Sequence, residues 1–176
     1  MTAPDVKCFH IAIAVRDMDV AIEGYGRLLG TERWHILSRT PGTRVAYGVG
    51  SGMTWELWEA TGEGTTQFHE FLRERGEGVQ HIGFWTPDLK TSVEAAVANG
   101  GRLVSATTDD RGHGVVQLVP AAGLQSKHLD ALGITAFVDA GFGGWRIEYV
   151  GQTGERFLRD WLEQDYDHII VTKQPW

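Results

Sequence analysis

The sequence predicts an α+β fold of two paired βαβββ modules whose strands form a curled mixed sheet around a central cleft. The first observation behind this prediction is an internal repeat, since "HIAIAVRDM" from His10 returns 71 residues later as "HIGFWTPDL" from His81. The second is that each copy continues with one helix-like segment and then with short strand-like runs. One supersecondary unit used twice accounts for both observations.

The first module is assigned to residues 7–60. After the strand "CFHIAIAV", apolar residues recur at helical spacing from Met18 to Leu29, with Asp17 placed as the N-cap and Gly30 as the C-cap. The runs "WHILS", "RVAYGVG" and "TWELWEA" supply three further strands. Residues 61–78 form a linker, in which "TTQFHEFLRERG" predicts a helix.

The second module is assigned to residues 79–150. Its strand "VQHIGFW" leads to a helix that begins after Asp88 and has its C-cap at Gly100, followed by the strands "GRLVSATT", "ITAFVDA" and "WRIEYV". Residues 110–133 have no counterpart in the first copy, and such an insertion in a compact fold is typical either of a functional loop or lid or of a disordered segment. Residues 151–176 contain a predicted C-terminal helix, "GERFLRDWLEQ", and a tail. The whole chain, residues 1–176, is taken as a single domain.

The composition narrows the class of protein. The chain has 176 residues, 42% of them hydrophobic, and a net charge of −7 with scattered basic residues, which argues against nucleic acid or an anionic membrane as a partner. No apolar run approaches the roughly 20 residues that span a bilayer. The single cysteine, Cys8, and an N-terminus without a signal-peptide pattern favour a cytoplasmic protein.

Both repeated histidines lie on the less apolar faces of their strands. Because side chains alternate, His10 shares a face with Ala12 and Ala14, and His81 shares a face with Gly83. A single strand histidine is more typical of a hydrogen-bonded core residue, so it is the repetition that favours a site. The histidines outside the repeat are expected at the surface or in loops: His35, His69, His113, His128 and His168.

Each module also carries one glutamate within its last strand, Glu56 in "TWELWEA" and Glu148 in "WRIEYV". A carboxylate among strand aromatic residues is costly unless it is paired, protonated or bound to a cation. Imidazole nitrogens together with carboxylate oxygens suit Zn, Ni, Co, Mn or Fe better than Ca. The sequence therefore predicts a divalent metal site with four ligands: His10, Glu56, His81 and Glu148.

Through "HIAIAVRDMDVAIEGYGRLLG", "TWELWEA", "GEGVQHIGFWTPDL" and "WRIEYV", the chain resembles the vicinal oxygen chelate superfamily, which has the glyoxalase fold. The linker "EATGEGTTQFHEFLRERGEGVQHIGF" looks most like the methylmalonyl-CoA epimerase branch. The resemblance implies the same four metal ligands and a homodimer. The epimerase branch more often has Gln where Glu56 stands, and two His with two Glu is the set associated with glyoxalase I. The catalytic Glu of the epimerases falls at Thr40 in this chain.

Such a ligand set favours proton transfer next to a metal-bound carbonyl, in a small 2-oxo compound or an acyl thioester. Because the epimerase base is absent, Glu56 or Glu148 is expected to act as the catalytic base of an isomerase, epimerase or lyase. Four residues are expected to contact the substrate: Trp58, Trp85, Arg146 and His113. Two alternatives stay open, a metal-free ligand-binding or drug-sequestering protein and a non-haem Fe(II) dioxygenase.

Overall fold

The computed structural model describes residues 6–38, 42–62, 64–106, 117–118, 132, 135–151 and 168–171. The chain divides into two compact units, residues 10–80 with 162–176 (the first unit) and residues 1–9 with 81–161 (the second unit). The helices are α1 (Met18–Leu29), α2 (Gln67–Arg75) and α3 (Leu89–Ala98). The strands are β1 (Lys7–Val15), β2 (Arg33–Leu37), β3 (Thr43–Gly50), β4 (Met53–Ala60), β5 (Gly78–Trp85), β6 (Arg102–Ala106), β7 (Gln117–Leu118), β8 (Thr135–Asp139), β9 (Arg146–Val150) and β10 (His168–Val171).

The predicted βαβββ order is confirmed in both modules, as β1-α1-β2-β3-β4 and as β5-α3-β6-β8-β9. The two-residue strand β7 belongs to the predicted insertion. Most of that insertion and the predicted C-terminal helix lie outside the described residues. Within the described part of the chain, no helix has both the length and the hydropathy needed to cross a membrane.

The strands of the first unit pair in the order β10-β2-β3-β4-β1, with β1 and β4 parallel and the other pairs antiparallel. One face of this mixed sheet packs against α1 through buried apolar residues: Ile13, Val15, Met18, Ile22, Trp34, Ile36, Ala46 and Leu57. The opposite face carries His10 and Glu56. At one end of that face, α2 packs through Phe68 and Leu72 against Ala14.

Helix α1 begins and ends where the sequence predicts. The side chain of Asp17 accepts hydrogen bonds from the backbone N–H groups of Asp19 and Val20, which satisfies donors that the first helical turn leaves open. Gly30 follows the last turn with a left-handed φ of 67°, a conformation that a Cβ atom disfavours. These caps fix where β1 ends and where β2 begins.

The described strands of the second unit pair in the order β5-β9-β8-β6-β7, with β5 and β9 parallel. Asp88 caps α3 by accepting a hydrogen bond from the Thr91 N–H. The predicted C-cap at Gly100 is wrong by one residue, because Asn99 is the C-cap and its side-chain amide donates to the Ala95 carbonyl at 2.7 Å. Helix α3 covers the apolar face through a buried cluster: Leu89, Val93, Leu103, Ala106, Ala136, Val138 and Tyr149.

We expect Gly48→Ala to destabilise the protein and Gly24→Ala to stabilise it. A Cβ atom on Gly48 in β3 would lie 2.3 Å from Cγ2 of Thr31 and 2.8 Å from Cε3 of Trp34, so buried neighbours must shift at a cost of about 1–3 kcal/mol. On Gly24 of α1 the added carbon meets nothing within 4 Å, and the better helix former adds roughly 0.5–1 kcal/mol. Urea denaturation followed by circular dichroism measures both changes. Equal midpoints for the two variants would contradict this account of the packing.

Candidate metal centre

His10 and Glu56 lie on the neighbouring parallel strands β1 and β4 of the first unit. The register sets His10 opposite Thr54 and Ala12 opposite Glu56, so both site side chains share one face with a stagger of two residues. His10 is 0% exposed and Glu56 is 1% exposed. The distance from His10 Nε2 to Glu56 Oε1 is 3.7 Å, which is a close contact but too long for a hydrogen bond.

The second unit repeats this arrangement with the same stagger. His81 lies opposite Arg146, and Gly83 lies opposite Glu148, on the parallel strands β5 and β9. His81 is 2% exposed and Glu148 is 8% exposed. The distance from His81 Nε2 to Glu148 Oε2 is 3.3 Å. Each of the predicted histidines thus has a predicted glutamate as its neighbour within its own unit.

The separation within each pair suits two ligands of one cation. Two atoms that each lie about 2.1 Å from a metal are about 3.0 Å apart at a right angle and about 3.4 Å apart at the tetrahedral angle. The 3.3 Å separation in the second unit falls within this range, and the 3.7 Å separation in the first exceeds it by a few tenths of an ångström. A cation would also offset the cost of burying the carboxylates. The donor set therefore fits a divalent metal ion.

The other carboxylate oxygen of Glu56 is held by Trp58. The indole Nε1–H of Trp58 donates a hydrogen bond to Glu56 Oε2 at 2.9 Å, while Oε1 faces His10. Trp58 stacks in turn on Phe68 of α2, with ring centroids 4.2 Å apart and ring planes 6° apart. Because the helix holds the ring and the ring holds the carboxylate, Glu56 presents one defined oxygen to His10. The sequence predicts Trp58 as a substrate contact, and the structure shows that its indole holds the carboxylate of Glu56.

An aromatic residue flanks each site glutamate on the adjacent antiparallel strand. Tyr47 of β3 lies opposite Glu56, and Phe137 of β8 lies opposite Glu148. Phe137 also meets the imidazole of His81 edge-on, with centroids 5.2 Å apart and planes 87° apart. The predictions from the sequence include no role for Phe137. The similar runs "VAY" and "TAF" in the two modules, which end in Tyr47 and Phe137, would have indicated the equivalence.

A second buried glutamate of β4, Glu59, has a structural role. It lies on the face opposite Glu56, where its Oε1 accepts a hydrogen bond from the Met18 N–H at 3.1 Å and Arg44 donates to its Oε2 at 3.0 Å. A negative charge at the N-terminus of α1 is favourable, and Arg44 balances it. Burial alone therefore does not identify a carboxylate as a metal ligand. The group that the carboxylate contacts, an imidazole for Glu56 but a guanidinium for Glu59, distinguishes the two roles.

Arg146 lies on the same face of the second unit as Glu148, as the sequence predicts. Its register partners are His81 on β5 and Asp139 on β8. The pKa of Asp139 is lowered chiefly by the hydrogen bond from the Gly141 N–H, against the opposing effect of burial, and further by Arg102 and Arg146. Arg146 thus acts on a carboxylate of its own chain.

Trp85, a predicted substrate residue, is half-buried at the end of β5. Its ring has the ammonium group of Lys7 at 5.9 Å from the centroid, within the range of a cation–π contact. His113, the fourth predicted substrate contact, lies outside the described residues, as does Thr40.

The prediction that the unrepeated histidines lie at the surface or in loops is wrong for His35 and His69. His35 is half-buried in β2, where it lies opposite Tyr47 and shares a face of the sheet with that residue. His69 is half-buried in α2, with its Nδ1 hydrogen-bonded to Thr66 Oγ1 at 2.8 Å. His168 begins β10, which pairs with β2. The sequence predicts the strand that contains His35 and the helix that contains His69, but the packing of these elements against distant segments decides how far the two side chains are exposed.

The family profile of the Glyoxalase/Bleomycin resistance protein/Dioxygenase superfamily matches residues 9–116 of the chain. The chain therefore belongs to this superfamily, and the resemblance seen in its sequence is confirmed. No protein with a curated description matches the chain at a significant level.

Several solved structures have a similar fold. Methylmalonyl-CoA epimerase from Mycobacterium tuberculosis is 26% identical, with a TM-score of 0.57 over 86% of this chain and 91% of that one. A variant of the Streptomyces coelicolor methylmalonyl-CoA epimerase, in complex with 2-nitronate-propionyl-CoA, is 23% identical, with a TM-score of 0.55 over 85% and 98%. A mutant of 4-hydroxymandelate synthase from Streptomyces coelicolor is 16% identical, with a TM-score of 0.62 over 84% and 39%. At these low identities the last two likenesses establish a common fold.

We expect Trp58→Phe to weaken divalent metal binding by about 10- to 100-fold while the protein stays folded. Phenylalanine keeps a ring against Phe68 but cannot donate a hydrogen bond to Glu56. Competition with a chromophoric chelator measures the dissociation constant for Co²⁺ or Zn²⁺. The matched control is Trp55→Phe on the opposite face of the same strand, where the indole N–H donates to the Gly50 carbonyl at 3.0 Å. Wild-type metal affinity in the Trp58 variant would show that the indole does not position Glu56.

Proposed function

We propose that this protein is a metal-dependent isomerase or lyase that moves a proton next to the carbonyl of a small 2-oxo compound or an acyl thioester. The observation that carries the proposal is the buried imidazole–carboxylate pair, present in both modules with the same strand stagger. The similarity to methylmalonyl-CoA epimerases, whose name specifies a CoA ester as substrate, supports this class of reaction.

In this proposal one divalent cation, Zn, Ni, Co, Mn or Fe, takes its ligands from both pairs. A single pair supplies two protein ligands, fewer than the three or four that hold such cations in proteins, so the proposal joins His10 and Glu56 to His81 and Glu148. When bound, the cation supplies a Lewis acid that polarises the substrate carbonyl. The two imidazoles are neutral donors and the two carboxylates are anionic donors, which balances the charge of a divalent ion.

Within this site we assign Glu148 as the base and Glu56 as a fixed ligand. Glu56 has one oxygen bonded to Trp58 and the other facing His10, so any movement of this carboxylate breaks both contacts. In the second module the residue equivalent to Trp58 is Val150, whose side chain has no hydrogen-bond donor.

The proposed reaction has two proton transfers. Glu148 takes the proton from the C–H bond next to the carbonyl, and the electron pair of that bond enters the enolate. The protonated carboxyl group then returns the proton to a neighbouring atom, which is isomerisation, or, after the enolate has rotated so that its other face meets this group, to the opposite face of the same carbon, which is epimerisation. Departure of a group from the adjacent carbon gives the lyase outcome.

We expect Glu148→Gln to lower the metal content of the purified protein by an order of magnitude or more, because a neutral amide replaces an anionic ligand. The matched control is Glu59→Gln, a buried glutamate whose partners are Met18 and Arg44, and it should retain the metal of the wild type. Plasma mass spectrometry of the folded fractions measures the metal. Unchanged occupancy in the Glu148 variant would remove this residue from the site.

Metal analysis also separates the proposal from its alternatives. Iron together with oxygen uptake would identify a non-haem Fe(II) dioxygenase, and a protein without metal would be a ligand-sequestering protein. Proton transfer is tested directly by NMR, as incorporation of solvent deuterium next to the carbonyl across a panel of 2-oxo compounds and acyl thioesters.

Two further properties belong to this proposal. Paired modules of the superfamily commonly form homodimers, and sedimentation should give twice the mass of the chain. The one cysteine, the exposed Cys8, is in keeping with a reducing and therefore cytoplasmic environment.

A further inference from the structure

A cavity of about 240 Å³ opens in the first unit beside the His10–Glu56 pair. Two of its lining residues are strand neighbours of the pair, since Thr54 lies opposite His10 and Tyr47 lies opposite Glu56. His35 lies opposite Tyr47 on the next strand, so the lining crosses β4, β3 and β2 on one face. The described residues that line it are Gly30, Glu32, Arg33, His35, Tyr47, Gly48, Val49 and Thr54.

Among the described lining residues of this cavity, Arg33 is the one permanent cation. Among the residues with described positions, no carboxylate lies within salt-bridge distance of its guanidinium group. His35 adds no charge near neutral pH, because burial, and then the nearby charge of Arg33, lower the pKa of its imidazole below the ordinary value of 6.5. Glu32, which precedes Arg33 in the sequence and also lines the cavity, supplies a negative charge. An anionic group that enters the cavity therefore finds its ion-pair partner at Arg33.

The volume limits what the cavity holds. At about 30 Å³ for each water molecule, it equals roughly eight water molecules, which is the size of an acid of three to five carbons. A whole CoA thioester is several times larger, so only its acyl group fits.

We propose that this cavity binds the carboxylate of a small acid substrate through Arg33, with a 2-oxo acid as the substrate class. The planar guanidinium group matches a carboxylate with two parallel hydrogen bonds. Two further lining residues carry hydroxyl groups, Tyr47, whose register partner is Glu56, and Thr54, whose register partner is His10. The choice of a 2-oxo acid rests on the proposed function, whereas the carboxylate contact rests on the cavity.

The test compares an acid with its neutral amide, 2-oxobutyrate with 2-oxobutyramide, by calorimetric titration of the purified protein. Arg33→Gln should weaken acid binding about tenfold or more and leave amide binding unchanged. Glu32→Gln should act in the opposite direction, because it removes a negative charge from the same wall. The matched control is Arg27→Gln, an exposed arginine of α1 paired with Glu23 at 2.7 Å, which alters the net charge equally and should change neither affinity.

Two results would overturn the proposal: wild-type protein that binds the amide as tightly as the acid, or an Arg33 variant that retains wild-type affinity for every acid. A carboxyl-bearing acyl thioester is titrated in parallel. If Arg33→Gln weakens the binding of the thioester but not that of 2-oxobutyrate, the carboxylate site is supported and the assignment of a 2-oxo acid is wrong. Metal content is measured on the same samples. The wild-type protein could contain no metal and still bind the acid more tightly than the amide, with the difference lost in Arg33→Gln. That result would contradict the proposed function and support the carboxylate site.

Discussion

The contact of a buried carboxylate with a buried imidazole, made once in each module, is the constraint on which the rest of the structure depends. Glu56 and Glu148 are buried in the last strands of the two modules, and removing a carboxylate from water costs several kcal/mol. Each therefore lies where the neighbouring parallel strand supplies a histidine. A slip of one residue in β4 would turn Glu56 toward the apolar cluster beneath α1, so this contact and the register of the sheet fix each other.

The two modules are similar in sequence pattern but differ in the residues that contact their site glutamates. Helices α1 and α3 pack on the apolar faces of the strands, opposite the faces that carry the site residues. Helix α2 packs instead on the site face of the first unit, where Phe68 stacks on Trp58 and Trp58 bonds to Glu56. The second module has Val150 in place of Trp58. This difference underlies the separate roles proposed for the two glutamates within one repeated motif.

Most of the fold is predictable because its signals are local. The alternation around His10, the helical spacing after Asp17 and the glycine at position 30 each depend on residues close along the chain, and the structure confirms the elements they predict. The prediction fails where distant segments decide the outcome. His35 lies in a predicted strand, but it is half-buried because this strand pairs with β3 and with β10, and β10 comes from residues 168–171, far away along the chain.

The sequence by itself determined the order of elements, the faces of the strands and the repeated histidine and glutamate that define the candidate site. Only the tertiary structure decided that one oxygen of Glu56 is held by Trp58, that Phe137 meets His81, and that Arg33 lines a cavity beside the first pair. The physical reason is that an alternating pattern specifies the face on which a side chain lies. The neighbour across the sheet depends on strand order and register, which arise from the packing of the whole chain.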